Sequence, residues 1–418
     1  MKMTRYLPEH GWQPYVVCAT PVWGSPVEPG LLEQVAHAER RCLPDRDVAG
    51  TVARLTAPLK RVLRRSPARA HAPEGAGAPV HGTQPRAPLS TRIARSLFID
   101  SAEPWSRSVP AAAVAWAQTV PFDVVLATGP PHSTLVAGAR VAAELGLPYV
   151  AELRDAWGGN PGYQWPPAHR QGARSVRLER EAMSAASAVI AISGPIAEEA
   201  RAAGAREAVV IPNGFDPSDV PRWAPAPGPV RVAFMGRFYD ATDPTPFFDG
   251  VALAVQRGGP ARDLHIDLVG PDSATAHRLV TERGLESRIT YHGFRPHDEA
   301  LEIVSRADVG LVVLADRPGS EAIYTSKIFE YLGMGIPILL VGTPEGVAAG
   351  LLREAAAGVA VPYDRPDLVA AELERLAAEK AGDGHTHVPR ADVVARFTRQ
   401  AQAGMVAEVL SRVVSGDV

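Results

Sequence analysis

Lys327 and Glu330 stand three residues apart in "YTSKIFEYLGMGIPIL" (324–339), where an apolar helical pattern opens with Ser326, Lys327 and Glu330. A helix N-terminus carries free N–H groups and partial positive charge, so it suits an anion such as a phosphate. A lysine in the first turn opposes the helix dipole, which becomes sensible if an anion such as a diphosphate neutralises it. Glu330 lies one turn on along the same face, where its carboxylate can accept hydrogen bonds from hydroxyls. Gly333, Gly335 and Pro337 then end the helix and return the chain to a strand. An exposed helix start carrying solvated charge is the competing reading.

The elements that must position these residues alternate. Apolar runs of strand length occur at 14–19, 123–128, 148–153, 188–193 and 208–214, with helical patterns between most of them. A Pro-rich hinge, "RWAPAPGP" (222–229), follows, and the alternation restarts at 230–236, 264–270, 289–293, 309–314, 337–342 and 358–362. Fully apolar strands separated by helices imply parallel sheets covered on both faces. The pattern predicts two Rossmann-like domains, 1–221 and 230–390, with ligands at the carboxyl ends of the strands. The amphipathic stretch 391–414 reads as one helix, and 391–418 is expected to pack back on the first domain. Residues 24–110 carry few order signals, and the Pro/Gly/Ala-rich segment 66–90 is expected to be disordered.

In this frame "TGPPHST" (128–134) joins a strand to a helix that Ser133 or Thr134 can cap, and His132 is expected to look into the cleft between the domains. "ELRDAWGGNP" (152–161) places Arg154, Asp155 and Trp157 at the same mouth. A structural Arg–Asp pair and a catalytic one both remain open. Asn213 and Gly214 in "IPNGFDP" are assigned to the turn itself. The Asp-x-Asp at 45–47 follows no strand and is not read as a metal site.

The chain has 418 residues, 46% hydrophobic, enough for two or three domain cores. Its net charge of −3 gives no field that would recruit nucleic acid. Cys18 and Cys42 are too few for a disulfide framework or a Cys-rich zinc site, and both are expected to pack as small hydrophobes. No apolar run is long enough to span a bilayer and no signal-peptide core is visible, so a cytoplasmic protein is expected. The basic stretch 52–69, with Leu55, Leu59, Val62 and Leu63 on one side, either lies on an anionic membrane surface or carries solvated charge.

The segment 324–339 resembles the C-terminal-domain signature of family 4 GT-B glycosyltransferases. "LATGPPHSTLVAGARVAAELGLPYVAELRDAW" (126–157), "AISGPIAEEARAAGAREAVVIPNGFDP" (191–217) and "VAFMGRFYDATDPTPFF" (232–248) resemble further blocks in the same order. The similarity covers most of the chain outside 24–90. It implies that Glu330 binds the nucleotide ribose and that Lys327 faces the donor diphosphate. It implies that Gly236 and Arg237 form the Gly-Arg after the domain's first strand, with Arg237 the second phosphate cation. Arg154 and Asp155 occupy the place where many relatives carry a histidine near the reacting sugar. Glu321, in the loop expected under the sugar, falls one residue outside the family spacing.

Two departures accompany the match. The resemblance implies a leading strand and glycine-rich loop, whereas the sequence opens inside what reads as the following helix, so two alternatives stay open: a chain start that lies further upstream, or an N-terminal sheet short of its first strand. Arg237 lacks the lysine that usually follows a few residues later. The expected activity is metal-independent, retaining transfer of a sugar from a nucleotide diphosphate sugar to an acceptor hydroxyl, without a cofactor. Envelope or exopolysaccharide glycan synthesis is the expected setting, with glycan, lipid-linked and small-molecule acceptors open. The alternative is a catalytically impaired GT-B protein that binds nucleotide sugar or a partner transferase. A Rossmann oxidoreductase would need a Gly-x-Gly-x-x-Gly after a strand, and none is present.

Overall fold

The computed structural model describes residues 2–20, 38–44, 97–158, 170–239, 242–382 and 387–417. The expectations for 45–47, 52–69 and 66–90 lie outside these residues.

The C-terminal domain is built on six parallel strands: β7 (Arg231–Met235), β8 (His265–Val269), β9 (Ile289–Gly293), β10 (Val309–Val313), β11 (Ile338–Gly342) and β12 (Gly358–Pro362). Their order, β12-β11-β10-β7-β8-β9, reverses direction between β7 and β10. Alternate residues of each strand face opposite layers. Val232, Phe234, Leu311 and Val313 pack on the helices Thr245–Arg257, Ala274–Glu282 and Pro366–Ala381. Ala233, Val312, Ile338 and Leu340 pack on His297–Ser305, Ser326–Met334 and Val347–Glu354. Both β10 and β11 are buried at every position, which is why they read as continuous apolar runs.

The N-terminal domain has a four-stranded parallel sheet of β3 (Val125–Gly129), β4 (Tyr149–Leu153), β5 (Ala188–Ala191) and β6 (Ala208–Val210). A separate parallel pair is formed by β1 (Tyr15–Ala19) and β2 (Glu39–Leu43). One face of the larger sheet packs on Ser133–Leu145, Arg170–Ala185 and Gly194–Ala202. The other is covered by the chain's first segment, through Leu7, and by the last helix, through Val406, Val409, Leu410 and Val413.

The stretch expected as one helix from 391 is two, Ala391–Ala395 and Arg399–Ser415. Phe215 crosses from the N-terminal domain and bridges Thr398: its N–H donates to Phe397 O (3.0 Å), and its carbonyl accepts from Arg399 N–H (2.8 Å). Helical bonding stops there, and the Thr398 side chain restarts it by accepting from Ala401 N–H. The Phe215 ring lies so close to the helix Ser326–Met334 that a Cβ on Gly333 would come within 2.4 Å of it. Asp216, 4% exposed, is held by Tyr6 Oη (2.8 Å), Arg5 (3.3 Å) and Ser218 Oγ (2.8 Å).

The cysteine expectation needs correction. Cys42 is exposed, and its Sγ lies 3.3 Å from Cys18 Sγ in directly paired positions of β1 and β2. Both thiols are free. The strand carrying Cys42, Glu-Arg-Arg-Cys-Leu, is a polar edge, so that cysteine has no core to enter.

Candidate active site

In an open parallel sheet the loops after two neighbouring strands diverge where the strand order reverses, leaving a crevice. Here that point lies between β7 and β10. β7 is followed by Gly236, whose φ of +129° is a conformation that L side chains rarely adopt. Its N–H donates to Val269 O (2.8 Å), and a Cβ on Gly270 would fall 2.0 Å from its carbonyl oxygen. Two glycines therefore let the loops after β7 and β8 touch.

The helix Ser326–Met334 enters the same crevice. A Cβ on Gly236 would lie 3.1 Å from Lys327 Nζ, so this lysine ends at the carboxyl edge of β7. Its ammonium sits 3.9 Å from the centre of the Phe234 ring. Among the described residues it has no carboxylate within ion-pair distance. Burial pulls its pKa down to about 8, opposed by the charge of Glu330. Thr325, at the N-cap, makes no side-chain cap, and its hydroxyl oxygen is buried without a hydrogen bond. The tip of this helix thus offers uncapped N–H groups, a hydroxyl and a desolvated cation.

Glu330 is partly buried and receives His297 Nε2 at 3.0 Å. Arg399, which opens the last helix, is a second cation near it. Burial lowers the Arg399 pKa, against the opposing charges of Glu152, Glu330 and Asp216. Its guanidinium donates to Gln402 Oε1 (3.1 Å). Sequence reasoning missed both His297 and Arg399. Arg399 carries the signal that marked Lys327, a cation in the first turn of an apolar helix; His297 carries none.

The other expected residues are distributed around this centre. Ser326 is exposed at the helix tip. Arg237 is exposed beside Gly236, with no ion pair among the described residues. Glu321 is exposed in the short turn Ser320–Ala322. The next residue, Ala322, is buried in the core of the N-terminal domain, so this loop joins the two domains.

On the N-terminal side, Arg154 is exposed and donates to Pro130 O (2.6 Å). It makes no ion pair with Asp155, whose pKa is raised by burial. His132 is 2% exposed and stacks on Trp157 at 4.9 Å, so it forms the wall of the mouth instead of facing the cleft as expected. Burial drives its pKa down to about 4 against a hydrogen bond at the Asp155 backbone, and the ring is neutral at pH 7. Glu179, which the sequence did not flag, accepts Gly158 N–H (3.2 Å) beside the same wall, and burial raises its pKa to about 7.

Two Rossmann-like domains, with glycine-lined loops and a helix tip at the switch point of the second, define the GT-B class. The family profile "Glycosyltransferase Family 4" matches residues 71–219, and "Glycosyl transferases group 1" matches 229–379. The chain belongs to the family 4-like GT-B glycosyltransferases. The search of curated proteins finds no match. Among solved structures, a sucrose-phosphate synthase from Thermosynechococcus elongatus superposes with TM-score 0.62 at 16% identity, over 99% of this chain and 92% of that one. A glycosyltransferase from Rickettsia africae gives 0.62 at 11%, over 99% and 93%. A trehalose 6-phosphate synthase from Burkholderia multivorans gives 0.50 at 14%, over 75% of each. At these identities the structural likeness speaks for the fold.

Proposed function

We propose that this glycosyltransferase moves a sugar from a nucleotide diphosphate sugar to an acceptor hydroxyl with retention of anomeric configuration. The observation that carries the reading is Lys327: a desolvated ammonium with no carboxylate ion pair among the described residues, at a helix tip, against the glycine that follows β7. A diphosphate supplies the charge this arrangement lacks. As the sugar–phosphate bond breaks, negative charge grows on the leaving oxygens, and Lys327, Arg237 and the helix N-terminus stabilise it electrostatically. Glu330, held by His297, accepts from the ribose hydroxyls. In this reading the departing phosphate takes the proton of the acceptor hydroxyl, and closure of the domains keeps water from the donor. Arg154, Asp155 and Glu321 border the sugar, while His132 shapes the wall through Trp157. The setting of this reading is envelope or exopolysaccharide glycan synthesis, with glycan, lipid-linked and small-molecule acceptors all open.

Thermal denaturation with a panel of nucleoside diphosphates tests this. A ligand bound only by the folded state raises the melting temperature, and at least one diphosphate is expected to do so where its monophosphate does little. A panel without any shift would overturn the reading. NMR of the product anomer then tests retention. A second reading, binding without turnover, is favoured by the division of the N-terminal strands into two sheets. Donor affinity without product formation would select it.

A further inference from the structure

β1 and β2 form a parallel pair of their own, apart from the four-stranded sheet. Neither strand has a buried residue, and two strands alone are marginally stable at best in water. The register pairs Val16 with Arg40, Val17 with Arg41 and Cys18 with Cys42. Successive side chains point to opposite faces of a strand. Tyr15, Val17 and Arg41 therefore share one face, and Val16, Cys18, Arg40 and Cys42 share the other. The first face is anchored on the N-terminal domain. The Tyr15 ring meets Trp116 edge-on at 5.6 Å and Phe122 at 5.4 Å, and the Arg41 guanidinium lies 4.5 Å from the centre of the Trp116 ring. The second face carries the two cysteines of the chain, with their sulfurs 3.3 Å apart.

The geometry suits a bond between them. Opposed positions on neighbouring strands put Cα atoms about 4.8 Å apart, within the span that a disulfide bridges without backbone movement. Cys42 is exposed, so a reagent in solution reaches it first. Cys18 is half-buried beside it. Burial and the hydrogen bond with Cys42 push the Cys18 thiol up to about 11, so it is protonated at pH 7 and slow to react with a reagent directly.

We propose that Cys18 and Cys42 are a reversible redox site, which closes to a disulfide by exchange with a low-molecular-weight disulfide and so clamps β1 to β2. Cys42 gives up its proton and attacks one sulfur of the reagent, forming a mixed disulfide and expelling one thiolate. Cys18 then gives up its proton and attacks the Cys42 sulfur, which forms the protein disulfide and expels the second thiolate. Two protein thiols are oxidised, and the reagent is reduced to two thiols that carry the two protons away. Excess thiol drives the same steps backwards. The bond joins residues 24 apart in the sequence, and closing that loop restricts the opened state of the strand pair. Neither cysteine belongs to the crevice of the C-terminal domain, so the redox site stands apart from the nucleotide reading.

Incubation of the reduced full chain with oxidised glutathione, read by intact-mass and peptide mass spectrometry, tests it. The expected product is a monomer lighter by two hydrogens, with Cys18 and Cys42 in one crosslinked pair and neither open to alkylation. Cys18→Ser is expected to stop at a glutathione adduct on Cys42. Cys42→Ser is expected to react at Cys18 about tenfold more slowly than Cys42 does in Cys18→Ser. Hydrogen exchange at 16–18 and 40–42 is expected to slow about tenfold on oxidation and to recover with dithiothreitol, with exchange in β9 unchanged. Stable glutathione adducts on both cysteines, a disulfide-linked dimer as the main product, or persistence of both thiols would overturn the proposal. Unchanged exchange in the two strands once the disulfide has formed would overturn it too.

Discussion

Lys327 places its ammonium 3.9 Å from the centre of the Phe234 ring, across the crevice from no carboxylate ion pair among the described residues. A cation held this way costs stability in the free protein and serves only when an anion arrives.

Replacing Lys327 with methionine therefore has opposite effects on stability and binding. The folded pKa, about 8, lies below the ordinary lysine value of 10.5, so the charged form is disfavoured by folding. Methionine removes that cost and is expected to raise stability at pH 7 by about 1–3 kcal/mol. Nucleoside diphosphate affinity is expected to fall by about 10- to 100-fold, the loss of a charged hydrogen bond. Chemical denaturation and calorimetric titration read the two effects. In the parent protein, stability from this lysine rises with pH between about 8 and 10.5, because the unfolded chain then binds more protons.

Glu330→Gln keeps the shape and removes the charge that His297 Nε2 approaches at 3.0 Å. If Glu330 reads the ribose, the parent protein should prefer a ribonucleoside diphosphate over its dideoxy analogue by about 1.5–3 kcal/mol, and the variant should lose most of that preference. Equal discrimination in both proteins would remove Glu330 from the ribose site.

Gly270→Ala forces a Cβ to within 2.0 Å of Gly236 O, at a φ of +150°. Something must shift, and the loop that shifts carries Gly236 and so the contact with Lys327. A loss of about 1–3 kcal/mol in stability is expected, together with weaker nucleotide binding. Gly11→Ala, also at positive φ but with nothing near its Cβ, should lose stability alone.

Asp216→Ala strands the partners of a nearly buried carboxylate, Tyr6 Oη, Arg5 and Ser218. The expected cost is about 2–4 kcal/mol, and the first segment loosens from the loop that carries Asp216. Asp216→Asn, which keeps an acceptor, should recover part of it. Thermal unfolding of both variants checks the order.

Much of this was legible because buried parallel strands write themselves as apolar runs, as Val309–Val313 does. β2 was not, since Glu39, Arg40 and Arg41 give an edge strand the composition of a loop. Nor was the break at Thr398, which no proline or glycine marks; a strand partner from the other domain imposes it. Lys327 and Gly236 were legible as separate motifs, and only folding brings them together. His132 was read from its position in a loop, but the Trp157 ring that covers it comes from the loop after the next strand. Contacts between distant segments leave no periodicity to read.

The central claim is that a diphosphate completes the charge at Lys327. Titration of the Lys327 ammonium by NMR, with and without the nucleoside diphosphate that stabilises the protein, addresses it directly. The account predicts a pKa of about 8 in the free protein and a rise of about one unit or more when the nucleotide binds. A pKa that stays the same with the ligand bound would contradict it.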